Sequence, residues 1–303
     1  MHTTVEAGRR IALKNVLFAT DFSPCSKAAL PYALAIAHQY GARVCGAHVL
    51  NADDYLFFGP EVWPAHLQQE EQLQQDALAQ LEEQLRGVPH EAVCAVGGVW
   101  DVLCRIIGEH DIDLVVVGTH GRSGLGKFFV GSVAEEVFRR ADCPVLSVGP
   151  NVRSNPDRGI QFRHILFATD FSGYSLAALP YAVSLAEEDQ AQLVLLHVVE
   201  EPEASIANLQ GVKASLMRRL QGLVPPEAEP WCQTDCLLEF GEQFARPAER
   251  ILEIAGEQAA DLIILGVRPV HGKLGLVTHL ASTTAQILTQ AACPVLTVRG
   301  CGE

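Results

Sequence analysis

The chain has 303 residues, of which 49% are hydrophobic and 19% charged, and its formal net charge is −14. This length suggests about two domains of roughly 150 residues each. The acidic balance argues against a nucleic-acid partner, which needs a basic surface, and no apolar run approaches the roughly 18 residues of a membrane span. The nine cysteines form no pair of CxxC motifs, so no zinc site is predicted. We therefore expect a cytoplasmic protein that contacts neither nucleic acid nor membrane.

Strand and helix patterns alternate along the first half of the chain. The predicted elements, in chain order, are a strand over 16–20, a helix from 24 to about 40, a strand over 44–50, a helix over about 66–86, a strand over about 92–96, a helix over about 99–110, a strand over 114–117, a helix from 132 and a strand over 144–148. Ser23 followed by Pro24 is typical of a helix start. The alternation predicts a doubly wound α/β fold, with a parallel sheet and helices on both faces.

The second half of the chain repeats the first. Five blocks recur in the same order, at 15–23 and 164–172, 28–33 and 177–182, 48–49 and 197–198, 113–118 and 261–266, and 141–148 and 292–298. A repeat of this length indicates two copies of one domain rather than a solenoid. We expect one domain over 1–150, a linker over 151–160 and a second domain over 161–303.

A glycine-rich stretch links the fourth predicted strand to the following helix. It contains Gly118, Gly121 and Gly131, and Ser132 then precedes Glu135 by three residues. This spacing predicts a capping box with Ser132 as the N-cap. A helix that begins after a glycine loop presents unpaired N–H groups and a positive dipole end, so the stretch is predicted to bind phosphate through the N–H groups of Ser132 and Val133.

Two distant motifs are predicted to meet at one crevice. For five strands in each domain we expect the order 3-2-1-4-5, in which strands one and four are neighbours with oppositely directed crossovers. Asp21 follows strand one and Gly118 follows strand four. Ligands of open α/β sheets bind at such a switch point, which supports the phosphate hypothesis.

These residues resemble the universal stress protein family, here as a tandem pair. The spacing Gly118-x2-Gly121-x9-Gly131-Ser132 matches the motif of the nucleotide-binding members, and Asp21 matches the aspartate that they carry after strand one. The resemblance implies an adenine nucleotide α-hydrolase-like fold, ATP bound at the switch point with or without Mg²⁺, and stress-related regulation.

The nucleotide-binding residues that we predict all lie in the first half. They are Ala19, Thr20, Asp21, Val49, Gly118, Gly121, Arg122, Lys127, Gly131, Ser132 and Val133. Asp21 serves either as a helix-terminal charge or as a partner of ribose or Mg²⁺. Arg122 and Lys127 are either phosphate partners or solvated loop cations. His48 and His197 are predicted to be core or rim residues, and His120 an exposed loop residue.

The second half departs from the motif. Pro269 and Ala281 stand where the first half has Gly121 and Gly131, although Asp170 and Ser282 are retained. Proline lacks an N–H group, and alanine resists the positive φ that glycine permits. We therefore predict that the second half does not bind ATP in the same way.

The sequence leaves three functions open. The first is an ATP-binding regulatory protein whose second half is structural or binds a partner. The others are a non-nucleotide interaction scaffold and a slow ATPase, although no catalytic set of residues is evident. The family resemblance also implies an intramolecular pseudo-dimer of the two domains, because strand five often pairs across a two-fold axis in this family. Here the strands at 144–148 and 294–298 are the candidates for that pairing, with a homodimer of whole chains left open.

Overall fold

The computed structural model describes most of the chain. The described residues are 11–51, 63–120, 130–152, 160–199, 209–225, 233–240, 246–268 and 283–300, with side chains described for all of these except 63–69 and 209. Among them, no helix is both long and apolar enough to cross a bilayer.

The first half contains the predicted alternation of strands and helices. Its elements are β1 (Asn15–Ala19), α1 (Pro24–Tyr40), β2 (Arg43–Asn51), α2 (Trp63–Gln84), β3 (His90–Gly97), α3 (Val99–Glu109), β4 (Leu114–Gly118), α4 (Ser132–Arg140) and β5 (Val145–Val148). Helix α1 begins as predicted, because the Ser23 side chain accepts a hydrogen bond from the Ser26 N–H and Pro24 is the first helical residue. It ends at Gly41, whose φ of 63° gives a left-handed cap.

The second half repeats this order with one difference. Its elements are β6 (His164–Ala168), α5 (Gly173–Leu176), α6 (Leu179–Asp189), β7 (Gln192–Val199), α7 (Leu209–Gln221), β8 (Gln233–Phe240), α8 (Pro247–Glu257), β9 (Leu262–Val267), α9 (Thr283–Gln290) and β10 (Val295–Arg299). Where the first half has one helix with Pro31 inside it, the second has α5 and α6, with Pro180 in the first turn of α6. Both prolines remove a helical N–H donor, but only the second coincides with a break.

The ten strands of the described residues belong to one sheet. Its order is β3-β2-β1-β4-β5-β10-β9-β6-β7-β8, so each half has the predicted order 3-2-1-4-5. The pairs within each half are parallel, whereas β5 pairs antiparallel with β10 in the register Leu146 opposite Leu296. The pairing of the two fifth strands that the sequence predicts is therefore present. Across this seam, Thr297 Oγ1 donates to the Val145 carbonyl at 3.3 Å.

The sheet is covered on both faces by apolar layers that extend through both halves. One layer includes Phe18 and Val116 of the sheet with residues of α1 and α6, and the other includes Leu17 and Val115 with residues of α3, α4, α8 and α9. Alternate residues of a strand point to opposite faces, so strands buried on both sides have the continuous apolar runs seen in the sequence.

The topology places the candidate site. Strands β1 and β4 pair in parallel, with Ala19 opposite Val117, while β1 also pairs with β2 on its other side. The connections leave the ends of β1 and β4 in opposite directions, which opens a crevice between their carboxyl ends.

Candidate functional site

A tight turn follows β1 and carries Thr20 and Asp21. Phe22 has a left-handed backbone with φ 62°, and Thr20 Oγ1 accepts a hydrogen bond from the Phe22 N–H at 3.0 Å. Asp21 Oδ1 accepts a hydrogen bond from the Ser23 N–H at 3.0 Å, which is the pattern of an Asx turn. The turn therefore holds the Asp21 carboxylate at the end of β1, directly before the cap of α1.

The surroundings of Asp21 favour its ionised form. Burial raises the pKa of this carboxyl, but hydrogen bonds from the side chain and backbone of Ser23 and from the Ser26 side chain outweigh that effect, so the pKa lies below its usual range. At neutral pH the group is a carboxylate, which accepts hydrogen bonds from hydroxyl groups.

The same turn recurs after β6. Phe171 has φ 61°, its N–H donates to Thr169 Oγ1 at 2.9 Å, and Asp170 Oδ1 accepts from the Ser172 N–H at 2.9 Å. Both aspartates thus have the structural role that the sequence left open for Asp21. Any ligand role of Asp21 is additional to it.

Two equivalent histidines support these turns, as their predicted core or rim position suggests. His48 is 4% exposed, and its Nδ1 atom lies 2.8 Å from the Thr20 carbonyl oxygen. His197 Nδ1 lies 2.7 Å from the Thr169 carbonyl oxygen. Because a carbonyl only accepts, each Nδ1 atom carries a proton and donates it. The histidines fix the backbone at the ends of β1 and β6.

Gly118, at the end of β4, is required by packing. A Cβ atom there would lie 2.7 Å from the carbonyl carbon of Cys25 and from the Ser26 backbone nitrogen. At the equivalent Gly266, a Cβ atom would lie 2.2 Å from the Tyr174 carbonyl oxygen. Both halves therefore need glycine here so that β4 can approach α1 and β9 can approach α5, whether or not a ligand binds.

The start of α4 differs from the predicted capping box. Gly131 is the N-cap and Ser132 is the first helical residue, with no side-chain hydrogen bond at the cap. The prediction that Ser132 is the N-cap is therefore wrong. Glu135 forms an ion pair with Arg139 at 3.0 Å along the helix, and its N–H donates to the Gly131 carbonyl at 2.9 Å. The helix begins one residue earlier because the Gly131 carbonyl is already the first helical acceptor.

Gly131 also does not need the conformation that the sequence argument assigned to it. Its φ is −59° and its ψ is 145°, which any residue can adopt. Its N–H donates to the Thr119 carbonyl at 2.7 Å, so the end of β4 anchors the start of α4. If glycine matters at this position, the reason is the space that a side chain would occupy.

A cavity of about 220 Å³ lies in the crevice between β1 and β4. It is lined by eight of the predicted site residues, namely Ala19, Thr20, Asp21, Val49, Gly118, Gly131, Ser132 and Val133. The remaining three, Gly121, Arg122 and Lys127, lie outside the described residues. The first N–H groups of α4 have no acceptor within the helix, so the positive end of its dipole and the Asp21 carboxylate share one cavity.

A second cavity of about 380 Å³ adjoins the first on the side of α2. Both are lined by Asp21, Val49 and Val99, and the second is also lined by Asp76 of α2. Asp21 thus stands between a cavity at the N-terminus of α4 and a wider space between β2 and α2. Sequence patterns do not indicate this second space, because it depends on where α2 packs.

His120 lies at the crevice, whereas the sequence predicts an exposed position in a loop. It lines the first cavity, its Nδ1 atom lies 2.9 Å from Thr119 Oγ1, and its backbone carbonyl accepts from Ser23 Oγ at 3.2 Å. Its Nε2 atom is buried and has no hydrogen-bond partner among the described residues. The expectation of an exposed loop histidine is therefore wrong, because the cap of α1 holds its backbone against the crevice.

In the second half, a side chain with a permanent positive charge stands at the position equivalent to His120. Arg268 occupies the position of His120 in the repeat, and its Nη2 atom lies 3.4 Å from Asp170 Oδ2. The pKa of Asp170 is lowered to about 2, because hydrogen bonds from Ser172 and Ser175 and the Arg268 charge outweigh the opposing effect of burial, which is the largest single influence. Pro269, Ala281 and Ser282 lie outside the described residues.

Within the described ranges, no three His, Cys, Asp or Glu side chains are grouped so as to hold a metal ion. Of the residues that line the first cavity, Asp21 is the carboxylate. The geometry fits a nucleotide whose phosphates supply most of the ligands of any bound Mg²⁺, since this ion commonly binds through one or two carboxylates plus phosphate oxygens.

Comparison with known proteins assigns the family. The model of the universal stress protein family matches residues 12–149 and again 161–299. A universal stress protein of Thermus aquaticus is 36% identical over 140 residues, which are 45% of this chain and 98% of the relative. Universal stress protein YxiE of Bacillus subtilis is 32% identical over 153 residues, which are 46% of this chain and 99% of the relative.

A solved structure agrees with this result at the level of the fold. The crystal structure of a universal stress protein from Archaeoglobus fulgidus superposes with a TM-score of 0.69, covers 94% of this chain and 98% of its own, and is 20% identical in sequence. With the family match on two segments, the chain belongs to the universal stress protein family and consists of two such domains in tandem.

Proposed function

We propose that this chain is a stress-response regulatory protein that binds ATP in its N-terminal half. The observation that carries the proposal is the cavity that brings Asp21 together with the N-terminus of α4. In a nucleotide the ribose supplies hydroxyl donors and the neighbouring phosphates supply anionic oxygens, and this one cavity is lined by a carboxylate and by a helix N-terminus.

The adenosine end is assigned to the side of Asp21 and Val49. Asp21 carries a carboxylate at neutral pH because its pKa is lowered, so it accepts hydrogen bonds from ribose hydroxyls. Val49 and Val99 line the adjoining walls of both cavities, which provides apolar surface for a base.

The phosphate end is assigned to Gly131, Ser132 and Val133. Ser132 and Val133 line the cavity, and their N–H groups belong to the first turn of α4. Phosphate oxygens satisfy such N–H groups and interact favourably with the helix dipole. If Mg²⁺ accompanied the phosphates, Asp21 would be the lining carboxylate that could help to hold it.

The C-terminal half is assigned a structural or partner-binding role. It keeps the strand, turn and histidine that support the crevice, but the Arg268 guanidinium is paired with Asp170. An aspartate already engaged by an internal cation is a weaker partner for ribose or Mg²⁺. The two halves act as one intramolecular pseudo-dimer joined through β5 and β10.

The proposal is tested by releasing and titrating the ligand. We expect denatured, purified protein to release an adenine nucleotide, or the purified protein to bind ATP in a calorimetric titration with Mg²⁺. Absence of both results would favour the non-nucleotide scaffold. Phosphate release above background that disappears in Asp21→Ala protein would instead favour the slow ATPase.

One substitution tests the location of the site. Gly131 lines the cavity, and valine also adopts its φ of −59°. We expect Gly131→Val to fill part of the cavity and to lower the affinity for ATP at least tenfold. The matched control is Ala281→Val, at the equivalent position of the second half, which should leave binding unchanged. If Ala281→Val lowered the affinity for ATP and Gly131→Val did not, the nucleotide site would be in the C-terminal half.

A further inference from the structure

Arg299, at the end of β10, contacts the C-terminus of α4 across the seam between β5 and β10. Its Nη1 atom donates to the Arg140 carbonyl at 3.0 Å and to Asp142 Oδ1 at 2.9 Å. Arg140 is the last residue of α4, and the last carbonyl groups of a helix have no donor within it. The guanidinium satisfies one of them and lies at the negative end of the helix dipole. The second half therefore supplies a charged cap to a helix of the first half.

The reciprocal contact, from the first half to α9, is made by a neutral group. Gly149 occupies the position equivalent to Arg299, and a Cβ atom there would lie 3.2 Å from the Leu288 carbonyl oxygen, which leaves little room for a side chain. The Asn151 amide instead donates to the Thr289 carbonyl at 3.2 Å. Among the described residues, the cationic cap is thus on the helix whose N-terminus lines the proposed nucleotide cavity.

Helix α4 is short enough for a contact at one end to fix the other. Its nine residues, Ser132–Arg140, span about 14 Å at roughly 1.5 Å per residue. The Arg140 guanidinium lies over the Trp100 ring of α3, 4.8 Å from its centroid, so the C-terminal turn is held from two sides. At the other end, Ser132 and Val133 line the cavity. A tilt of the C-terminal turn would therefore move the N–H groups at the cavity.

We propose that Arg299 is a positioning residue for the nucleotide site, which holds α4 so that its first N–H groups stay aligned with the phosphates. The inference rests on the proposed function and gives the C-terminal half a defined role in supporting the site of the N-terminal half. Only the aligned state binds phosphate tightly, so loss of the contact lowers the apparent affinity by the fraction of molecules that remain aligned. The ribose and the base meet β1 and β2 rather than α4, so this effect is confined to the phosphates.

The first measurement needs no ligand. Arg299→Met removes the guanidinium and keeps a long apolar side chain, and we expect faster amide hydrogen exchange in α4 of the free variant than in the wild type. Unchanged exchange throughout α4 would show that the contact does not hold the helix, and would overturn the inference.

The second measurement is the affinity for ATP relative to adenosine. We expect Arg299→Met to weaken ATP binding about twofold to fivefold, the size of the effect of a cation at a helix C-terminus. Adenosine binding should change little, because adenosine has no phosphate to meet α4. Arg299→Lys keeps the positive charge and should recover part of the lost affinity.

The matched control removes the reciprocal cap. Asn151→Ala deletes the amide that donates at the C-terminus of α9, and we expect it to lower the urea unfolding midpoint while leaving ATP affinity unchanged. If Asn151→Ala and Arg299→Met weakened ATP binding equally, the general integrity of the seam rather than the position of α4 would be responsible, and the inference would be wrong.

The remaining outcomes separate this inference from the function on which it rests. Wild-type protein that binds no nucleotide overturns the proposed function, and the inference fails with it. Wild-type binding that the methionine variant retains in full overturns the inference alone. An equal loss of ATP and adenosine binding in that variant would assign Arg299 a purely structural role and would also overturn it.

Discussion

The two halves of the chain share the frame of the switch point and differ in the side chains that the frame presents. Each has an aspartate in an Asx turn and a histidine that donates to the backbone carbonyl of the threonine directly before that aspartate. Each also has a glycine that lets a strand approach a neighbouring helix. The differences begin directly after that glycine, with Thr119 and His120 in one half and Val267 and Arg268 in the other. Features present in both halves have a role in folding, so the residues that differ are the ones that can restrict nucleotide binding to the first half.

A comparison of the two equivalent glycines, Gly118 and Gly266, changes how the nucleotide-binding motif is understood. Gly118 belongs to the nucleotide-binding motif in the first half, yet Gly266 is under the tighter steric constraint in the half where the motif is degraded. The first glycine of the motif therefore has a packing role in both halves, and under the proposed function the residues after it distinguish the half that binds nucleotide. In the second half, those residues include Arg268, whose guanidinium lies 3.4 Å from the Asp170 carboxylate.

The largest expected effect is on stability. Gly118→Ala and Gly266→Ala each place a methyl group against backbone atoms that cannot move aside, at 2.7 Å and 2.2 Å respectively. We expect each to lower the free energy of unfolding by about 1–3 kcal/mol or more, with the larger loss at Gly266. The shift of the urea unfolding midpoint in each variant measures this loss of stability.

Helical glycines in open space supply the controls. At Gly108 of α3 and Gly256 of α8, an added Cβ atom would have no neighbour within 4 Å, so alanine there should stabilise by up to about 1 kcal/mol through helix propensity. If Gly118→Ala left stability unchanged but abolished ATP binding, this glycine would be a ligand residue after all, and the comparison of the halves would lose its main support.

The architecture could be predicted because it arises from patterns along the chain. Continuous apolar strands, regular alternation and the repeat define two doubly wound units, and the position of Asp21 and Gly118 after their strands locates the crevice. These inferences need only period, order and the rules of parallel sheets. The β5–β10 pairing has another basis, since it is expected from the resemblance to the universal stress protein family, in which strand five often pairs across a two-fold axis.

The finer features of the site could not be predicted because they depend on tertiary neighbours. The steric role of Gly118 arises from backbone atoms of Cys25 and Ser26, which are far away in sequence. Ser132 fits a capping signature, but the Gly131 carbonyl starts the helix one residue earlier. His120 resembles an ordinary loop histidine until the cap of α1 and Thr119 are seen to hold it.

The second expected effect is on binding and tests the aspartates as a matched pair. Asp21→Asn keeps the Oδ1 acceptor of the turn but removes the charge, and we expect about a tenfold to hundredfold loss of ATP affinity, as for a hydrogen bond to a charged group. Asp170→Asn makes the same chemical change in the half where Arg268 is already paired, and ATP affinity should not change. Calorimetric titration of both variants with ATP in the presence of Mg²⁺ measures the two affinities. Equal losses would show that both halves bind nucleotide.

The smallest expected effect concerns acid stability and tests the ion pair that sets the halves apart. The pKa of Asp170 is about 2 in the folded protein against an ordinary value of 3.8, so the carboxylate stabilises the fold above its ordinary pKa, and this contribution is lost as the pH falls from about 4 to about 2. The free energy of unfolding of the Asp170→Asn variant should therefore fall less than that of the wild type across this pH interval. The difference should stay below about 1 kcal/mol, because the Asp170 and Arg268 side chains are 56% and 70% exposed and solvent screens their interaction.

Replacing the arginine separates the ion pair from the turn. Hydrogen bonds from Ser172 and Ser175 lower the pKa of Asp170 more than the Arg268 charge does, so Arg268→Met should retain most of the acid dependence and lose only its salt-sensitive part. Urea unfolding at low and high salt, repeated at each pH, measures both contributions. If Arg268→Met removed the whole acid dependence, the guanidinium rather than the Asx turn would control Asp170. The two halves would then differ in the electrostatics of the turn itself, and not only in the residues after the shared glycine.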